Sequence, residues 1–339
     1  MTFTRNLNLI IQRKNLDQDQ MALMLEDIFS GQITEAQIGA FMAALATKGE
    51  TFEELAGAAR AMRRKASRIQ TVSKKVIDTC GTGGDSSGSF NISTTTAIVV
   101  AGCGVTVAKH GNRSISSKCG SADVLESLGV NIDTDPEVVE EAVNEIGIGF
   151  MFAPRFHGAM KYAAKARKDV GIRSIFNMLG PLTNPAAASC QLLGVYAPQL
   201  TEMFAQALKL LGVSKAFVVH GHDGMDEITT TAPTRVSELK SGLIRSYDLD
   251  PIEFFEDYAA TEDLKGGDVE LNARITRDIL NGDPGPKRNI VLLNSAAALV
   301  AADAAADIKE GLELAAGALD SGRAKEKLEQ LADFTQENA

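Results

Sequence analysis

The run Cys80-Gly81-Thr82-Gly83-Gly84-Asp85-Ser86-Ser87-Gly88-Ser89-Phe90-Asn91-Ile92-Ser93-Thr94 packs glycines, hydroxyls and a carboxylate together. Glycine permits positive φ and lets backbone N–H groups close on a ligand. The run follows the β-branched Val76-Ile77-Asp78-Thr79 and precedes the apolar Ala97-Ile98-Val99-Val100-Ala101, so it reads as a turn from strand into helix. A helix start supplies unpaired N–H donors and the positive end of a dipole. Phosphate or pyrophosphate suits such a place. Two common phosphate loops do not match: the dinucleotide fingerprint requires a third glycine where Ser86 stands, and the P-loop requires Gly-Lys before Ser or Thr. Taken alone, the run is equally a structural turn.

A second loop, Lys109-His110-Gly111-Asn112-Arg113-Ser114-Ile115-Ser116-Ser117, follows the short strand Val105-Ala108 and adds cations to side-chain donors. It suits a polyanion. Asp226 and Glu227 follow another apolar run, Ala216-Val219. Adjacent carboxylates at a strand end can hold Mg²⁺ against a diphosphate, since that ion takes oxygen ligands from one or two carboxylates plus substrate phosphates. A solvated acidic turn is the plainer alternative. His220 and His222 lack the further ligands a metal site needs, so structural roles are expected for them. Arg167 carries a planar fork suited to a carboxylate, although Lys161, Lys165 and Lys168 nearby equally describe a basic surface helix. His110 and His157 are placed to line an aromatic pocket or to make local hydrogen bonds.

GTGGD, FNIST and KHGNRSISSKCGSADVLESLG, in that order, resemble the signature of the nucleoside phosphorylase/phosphoribosyltransferase superfamily. RKDVGIRSIFNMLGPLTNPA is similar to the anthranilate phosphoribosyltransferase branch in particular, and the likeness runs over nearly the whole chain. It implies an α/β fold: a small N-terminal helical subdomain plus a larger domain with a mostly parallel central sheet flanked by helices. Residues 1–72 would form the helical subdomain, joined by a segment near 165–190, and residues 73–339 the phosphoribosyl-diphosphate-binding domain.

The same resemblance implies transfer of a phosphoribosyl group from 5-phosphoribosyl 1-diphosphate to anthranilate, with Mg²⁺ as cofactor. Gly81, Gly84, Asp85, Ser89, Asn91, Ile92, Ser93 and Thr94 would surround the sugar diphosphate. Lys109, His110, Gly111, Asn112, Arg113, Ser114, Ile115, Ser116, Ser117 and Ser121 would complete its site. Anthranilate would meet Gly81, Asn112, Arg167, His110 and His157. Ser93, Asp226 and Glu227 would hold the metal, and Lys109, Asn112 and Arg167 would carry the catalytic roles. The family commonly shows His-Pro-Ala-Met-Lys and Pro-Val-Arg where this chain has Gly158 and Lys165-Ala166. Ser89 replaces a common threonine and keeps the hydroxyl. The alternatives are a pyrimidine nucleoside phosphorylase, which the run Phe176 to Pro185 and Arg167 oppose, and a silent nucleic-acid-binding paralogue, which the retained Asp226 and Glu227 oppose.

The elements that must position these residues are legible too. Asp17 with Gln20, Thr34 with Gln37 and Thr51 with Glu54 look like capping boxes. Met21, Leu25, Ile28, Ile38, Phe41, Met42 and Leu45 recur at helical spacing, as a core or a homodimer contact. From Val76 onward β-branched runs alternate with helical patterns, which predicts a largely parallel sheet with ligands at the strands' carboxyl ends. Residues 228–249 read as an antiparallel hairpin. Four helical patterns follow, expected as an outer layer. The 339 residues carry a net charge of −10, which opposes general nucleic-acid or membrane-surface binding. The four cysteines are widely spaced, with neither metal-site spacing nor disulfide density, and no stretch is long and apolar enough to span a bilayer. A reduced, soluble cytoplasmic enzyme is expected.

Overall fold

The computed structural model describes residues 2–114 and 118–338. Ile115, Ser116 and Ser117, expected in the donor loop, lie outside the described residues. The chain opens with helices α1 (Thr2–Ile11), α2 (Gln18–Phe29), α3 (Glu35–Lys48) and α4 (Phe52–Lys65). All three expected capping boxes form, starting α2, α3 and α4. Met21, Leu25, Ile28, Ile38, Phe41, Met42 and Leu45 are buried within the one chain. Those faces are core, and they present nothing to a second subunit.

The order then becomes β1 (Val76–Gly81), α5 (Ile92–Gly102), β2 (Thr106–Gly111), α6 (Ser121–Ser127), α7 (Pro136–Glu145), β3 (Ile148–Phe152), α8 (Ala153–Phe156), α9 (Lys161–Val170) and α10 (Ile175–Met178). It continues with β4 (Cys190–Gly194), α11 (Leu200–Leu210), β5 (Lys215–Gly221), β6 (Thr234–Lys240) and β7 (Leu243–Leu249). Last come α12 (Val269–Leu280), α13 (Pro286–Ala301), α14 (Ile308–Asp320) and α15 (Arg323–Glu337).

The strands form one sheet in the order β3-β2-β1-β4-β5-β6-β7. β1 to β5 pair in parallel, while β6 and β7 form the expected antiparallel hairpin at the edge. Successive strand residues point to opposite faces. Leu192, Phe217 and Val219 therefore enter a core with α5 and α13, while Leu193, Ala216 and Val218 enter another with α2, α3, α4 and α11. β1 has β2 on one side and β4 on the other. Its carboxyl end is thus the switch point of the sheet, where open α/β folds leave a crevice.

The C-terminal helices do not all lie outside. Every residue of α13 from Ile290 to Ala301 is buried, with α14 packed over it. The reason is composition: α13 is apolar on all sides, and such a helix is stable only inside. Among the described residues, no helix is long and apolar enough to cross a membrane.

Candidate active site

Gly81 closes β1 and pairs in register with Gly194, which closes β4. A Cβ at Gly81 would run into Asp226 Oδ2, and one at Gly194 into the Asp226 carbonyl oxygen. Two bare strand ends thus let the segment after β5 fold across the switch point. Gly83 N–H donates to Asp226 Oδ2 at 2.8 Å, tying the glycine-rich loop to that segment. The loop turns through positive φ at Gly83, Gly84 and Gly88, and also at Ser86 (φ 60°). Ser86 stands where the dinucleotide fingerprint has its third glycine, and it adopts the left-handed shape with a side chain attached, an uncommon state outside glycine.

Asn91 precedes α5 without capping it. Its side chain instead donates to Cys119 O at 3.3 Å and accepts from Asn272 Nδ2 at 3.0 Å. The first turn of α5 therefore keeps its N–H donors free of a side-chain cap, and that of Ser93 is directed at Glu227. Ile92 and Thr94 are buried in the helix, and Thr94 Oγ1 has no partner among the described residues. Ser89 Oγ receives the Ser87 hydroxyl at 3.1 Å, and Asp85 lies beside Asp226.

Lys109 is 3% exposed, and its Nζ donates to Thr79 O at 2.6 Å and lies 3.5 Å from Ser93 Oγ. Burial lowers its pKa, opposed by Asp78 and then by Cys80 and Glu227. Asp78 is itself fully buried, which raises its pKa against the pull of Lys109. It accepts from His110 N–H at 3.2 Å and from Asn184 Nδ2 at 2.8 Å. His110 Nδ1 lies 3.1 Å from Gly180 O, and His110 Nε2 lies 3.1 Å from His157 Nε2. A carbonyl only accepts, so Nδ1 carries the His110 proton and His157 Nε2–H donates to His110 Nε2. Burial pushes His110 down to about 4 and His157 down to about 3. Both rings are neutral hydrogen-bonding groups. His220, as expected, is structural, with Nδ1 donating to Val195 O at 2.7 Å.

In the second loop, Gly111 ends β2, and Asn112 is exposed with Oδ1 accepting from Arg113 N–H at 2.8 Å. Ser121 Oγ bonds both backbone groups of Asn112 at 3.2 Å. The Arg113 guanidinium is engaged by Asp123 and Glu126 of α6, at 2.9 and 2.8 Å. Ser114 N–H donates to Asp123 as well, at 3.1 Å. α6 thus anchors the loop.

Burial pushes Asp226 up to about 7, with Asp85 adding repulsion. Glu227 is raised further by burial and by Asp226. Lys109 pulls Glu227 the other way, but burial and Asp226 outweigh it, so the two carboxylates stay crowded. With the Ser93 hydroxyl they make an all-oxygen donor set, which fits Mg²⁺. Among the described residues, no cluster of three or more acidic, histidine or cysteine side chains is arranged to hold a metal unaided, so substrate oxygens would have to complete the shell.

Arg167 projects from α9 and stacks over the Phe176 ring of α10, 5.7 Å from its centroid. Burial lowers its pKa, and among the described residues no carboxylate counters that. α10 leads into Gly180, whose carbonyl accepts from His110. The motifs did not single out four residues that build this region: Asp78, Asn184, Arg173 and Lys265. Arg173 donates to Gly84 O at 3.0 Å and stacks 4.0 Å over Tyr196, and Lys265 donates to Ser87 O at 2.9 Å. Arg173 and Asn184 both lie in the RKDVGIRSIFNMLGPLTNPA run, whereas Asp78 and Lys265 carried no such signal.

Residues 73–325 match the glycosyl transferase family a/b domain, and residues 6–66 match the glycosyl transferase family helical bundle domain. A protein of Desulfosudis oleivorans named anthranilate phosphoribosyltransferase is 67% identical over 337 residues, 99% of each chain. The chain belongs to the anthranilate phosphoribosyltransferase family. The crystal structure of the Thermus thermophilus anthranilate phosphoribosyltransferase superposes with a TM-score of 0.92 at 40% identity, covering 97% of this chain and 99% of that one. The Saccharomyces cerevisiae anthranilate phosphoribosyltransferase, solved in complex with PRPP (5-phosphoribosyl 1-diphosphate) and Mg, superposes with a TM-score of 0.90 at 27% identity, covering 99% and 98%. The family thus extends over both the helical and the α/β parts of the chain.

Proposed function

We propose that this chain moves the phosphoribosyl group of PRPP onto the amine of anthranilate, giving N-(5-phosphoribosyl)anthranilate and pyrophosphate in tryptophan biosynthesis. One observation carries the site assignment: the glycine-rich loop and the Asp226-Glu227 pair meet at the switch point, joined by the Gly83 bond to Asp226. The bond from the anomeric carbon to pyrophosphate breaks, its electron pair leaving with the pyrophosphate. The amine lone pair of anthranilate forms the new C–N bond, and the surplus amine proton passes to water. An aniline-type amine is scarcely protonated near neutrality, so no strong base is required.

Gly81, Gly84, Asp85, Ser89, Asn91, Ile92, Ser93 and Thr94 bind the sugar diphosphate in this reading, with backbone N–H groups supplying preorganised donors. Lys109, His110, Gly111, Asn112, Arg113, Ser114, Ser121 and the 115–117 segment complete that site. Arg113 acts there by holding the loop to α6. Asp226, Glu227 and Ser93 would hold Mg²⁺, which when bound offsets charge on the departing pyrophosphate. Arg167 holds the carboxylate of anthranilate, and Asn112, Gly81 and the His110–His157 pair frame its ring, so proximity supplies the rest. Residues 1–72 act as the helical domain and 73–339 as the α/β domain, with α9 packed on α2 and α3 between them.

The deciding experiment compares two assays of the full chain. PRPP, Mg²⁺ and anthranilate should yield pyrophosphate, while phosphate with thymidine or uridine should yield no free base. Phosphorolysis in the second and silence in the first would overturn the proposal. We also read the chain as a cytoplasmic homodimer. With the bundle's main faces internal, the exposed Ile11 (59%) and Leu23 (49%) are what supports a contact there. Sedimentation at micromolar concentration should show twice the chain mass, and a monomer would refute it.

A further inference from the structure

The apolar stretch that becomes α13 is interrupted by Asn294 and Ser295, both 0% exposed. An amide buried there costs free energy unless it is fully bonded. Asn294 Oδ1 accepts from Ile228 N–H at 3.0 Å. Its Nδ2 donates to Ile228 O at 2.8 Å and to Ile290 O, one turn back in the same helix, also at 2.8 Å. One side chain thus grips both polar groups of a single residue, fixing its tilt as well as its place. Ile228 directly follows Glu227.

The segment between β5 and β6 has no strand to lean on at this point. Asp223 braces it on either side, accepting from Met225 N–H at 3.0 Å and from Thr229 Oγ1 at 2.6 Å. Gly81 and Gly194 stop Asp226 from below. The Gly83 N–H holds Asp226 from the glycine-rich loop and Thr234 Oγ1 accepts from Thr229 N–H at 3.0 Å, while Asn294 reaches Ile228 from α13. Leucine would match the volume at this position but would leave the buried Ile228 N–H and C=O without the Asn294 amide. Ser295 next to it shows that a polar side chain in this core does not automatically find a partner, because its hydroxyl has none among the described residues.

We infer that Asn294 is a positioning residue for the Asp226–Glu227 carboxylates, holding them through the Ile228 backbone. It does not touch substrate. The inference rests on the reading of those carboxylates as the Mg²⁺ pair. Outer groups that orient ligating carboxylates typically matter tenfold to a hundredfold for metal affinity.

The test is Mg²⁺-dependent binding of PRPP to the full chain, followed by titration calorimetry at varied Mg²⁺. Asn294→Ala should weaken the apparent Mg²⁺ constant on the order of tenfold, while the anthranilate KM at saturating Mg²⁺ stays within about twofold of wild type. Asn294→Leu restores the lost volume and should behave alike. A folded variant whose Mg²⁺ constant is unchanged overturns the proposal. Asp226→Asn with Glu227→Gln separates the two readings. If that control keeps the wild-type Mg²⁺ response, the carboxylate assignment itself has failed. If it loses the response while Asn294→Ala keeps it, only the Asn294 clamp has failed. Should neither Asn294 variant fold, the residue belongs to core packing and the proposal falls.

Discussion

Arg167 shows how a single side chain can be recognised in sequence and still gain meaning from its surroundings. The sequence offered a basic helix with several lysines around it, and nothing in that pattern separates a ligand-binding arginine from a surface one. In the fold Arg167 is half-buried on Phe176, and among the described residues no carboxylate balances it. A charge-assisted hydrogen bond is worth about 1.5–3 kcal/mol, so Arg167→Ala should raise the anthranilate KM roughly 10- to 100-fold with PRPP binding intact. Steady-state kinetics with each substrate varied in turn will show it, and equal loss for both would refute the role. The histidine pair supports a second prediction, with a defined sign. Both pKa values lie below the ordinary 6.5, at about 4 and about 3. Below about pH 6.5 the unfolded chain therefore takes up protons that the folded chain refuses. Stability is full above that pH and should fall as pH drops toward 4, by up to about 1.4 kcal/mol per pH unit for each histidine. His157→Gln should remove one proton's worth of that slope in urea titrations between about pH 6 and 4.5, and parallel slopes would contradict it. Neither shift was legible in sequence, because burial leads both, with Lys109 lowering His110 further and His110, 47 positions away, lowering His157 further.

At the scale of elements, three capping boxes look equivalent in sequence, and the fold makes one of them different. Asp17/Gln20 and Thr34/Gln37 lie at exposed helix starts. Glu54 is 0% exposed. Its Oε1 accepts from Leu16 N–H at 2.9 Å, and its Oε2 accepts from Thr51 N–H and Lys48 Nζ, both at 2.9 Å. One carboxylate thus caps α4, closes on the end of α3 and fastens the connection between α1 and α2. Removing it leaves the Lys48 ammonium, whose side chain is 3% exposed, to the neutral acceptors Asn15 Oδ1 and Gly49 O. Glu54→Ala should therefore cost about 3–5 kcal/mol, whereas Gln37→Ala at the exposed box should cost about 1 kcal/mol. Denaturant unfolding of the two variants checks the ranking, and similar losses would show that burial does not distinguish the boxes. Local pattern predicts a cap because the cap's geometry is local. It cannot tell which cap the tertiary fold will enclose. α13 teaches the same lesson: its apolar run announced a helix, but its place beneath α14 depends on partners far away in the chain.

Over the whole molecule, alternation of strands and helices sufficed to expect a parallel sheet, since period and turn chemistry are carried by neighbouring residues. Strand order is another matter. That β1 lies between β2 and β4 depends on which helix pairs cover which face, and the switch-point crevice follows from that order. The same packing bears on whether the helical bundle is an independent body. α4 lies between α2 and α11, and Leu55, Ala56, Ala58, Ala59 and Ala61 along it are all 0% exposed. The bundle residues Met21, Leu25, Phe41 and Leu45 share one continuous core with Leu193, Phe204 and Val218 of the α/β part. Arg63 of α4 adds a bond to Leu182 O at 2.7 Å. Residues 1–72 expressed alone would lose this cover and expose one side of α4 to water, at roughly 25 cal/mol for each Å² of apolar surface left wet. So short a piece starts with little margin. The full chain should unfold in a single calorimetric transition, and the 1–72 piece should lack slowly exchanging amides in α4. Two resolved transitions, or a protected α4 in the isolated piece, would mean that the shared core does not bind the two parts into one cooperative unit.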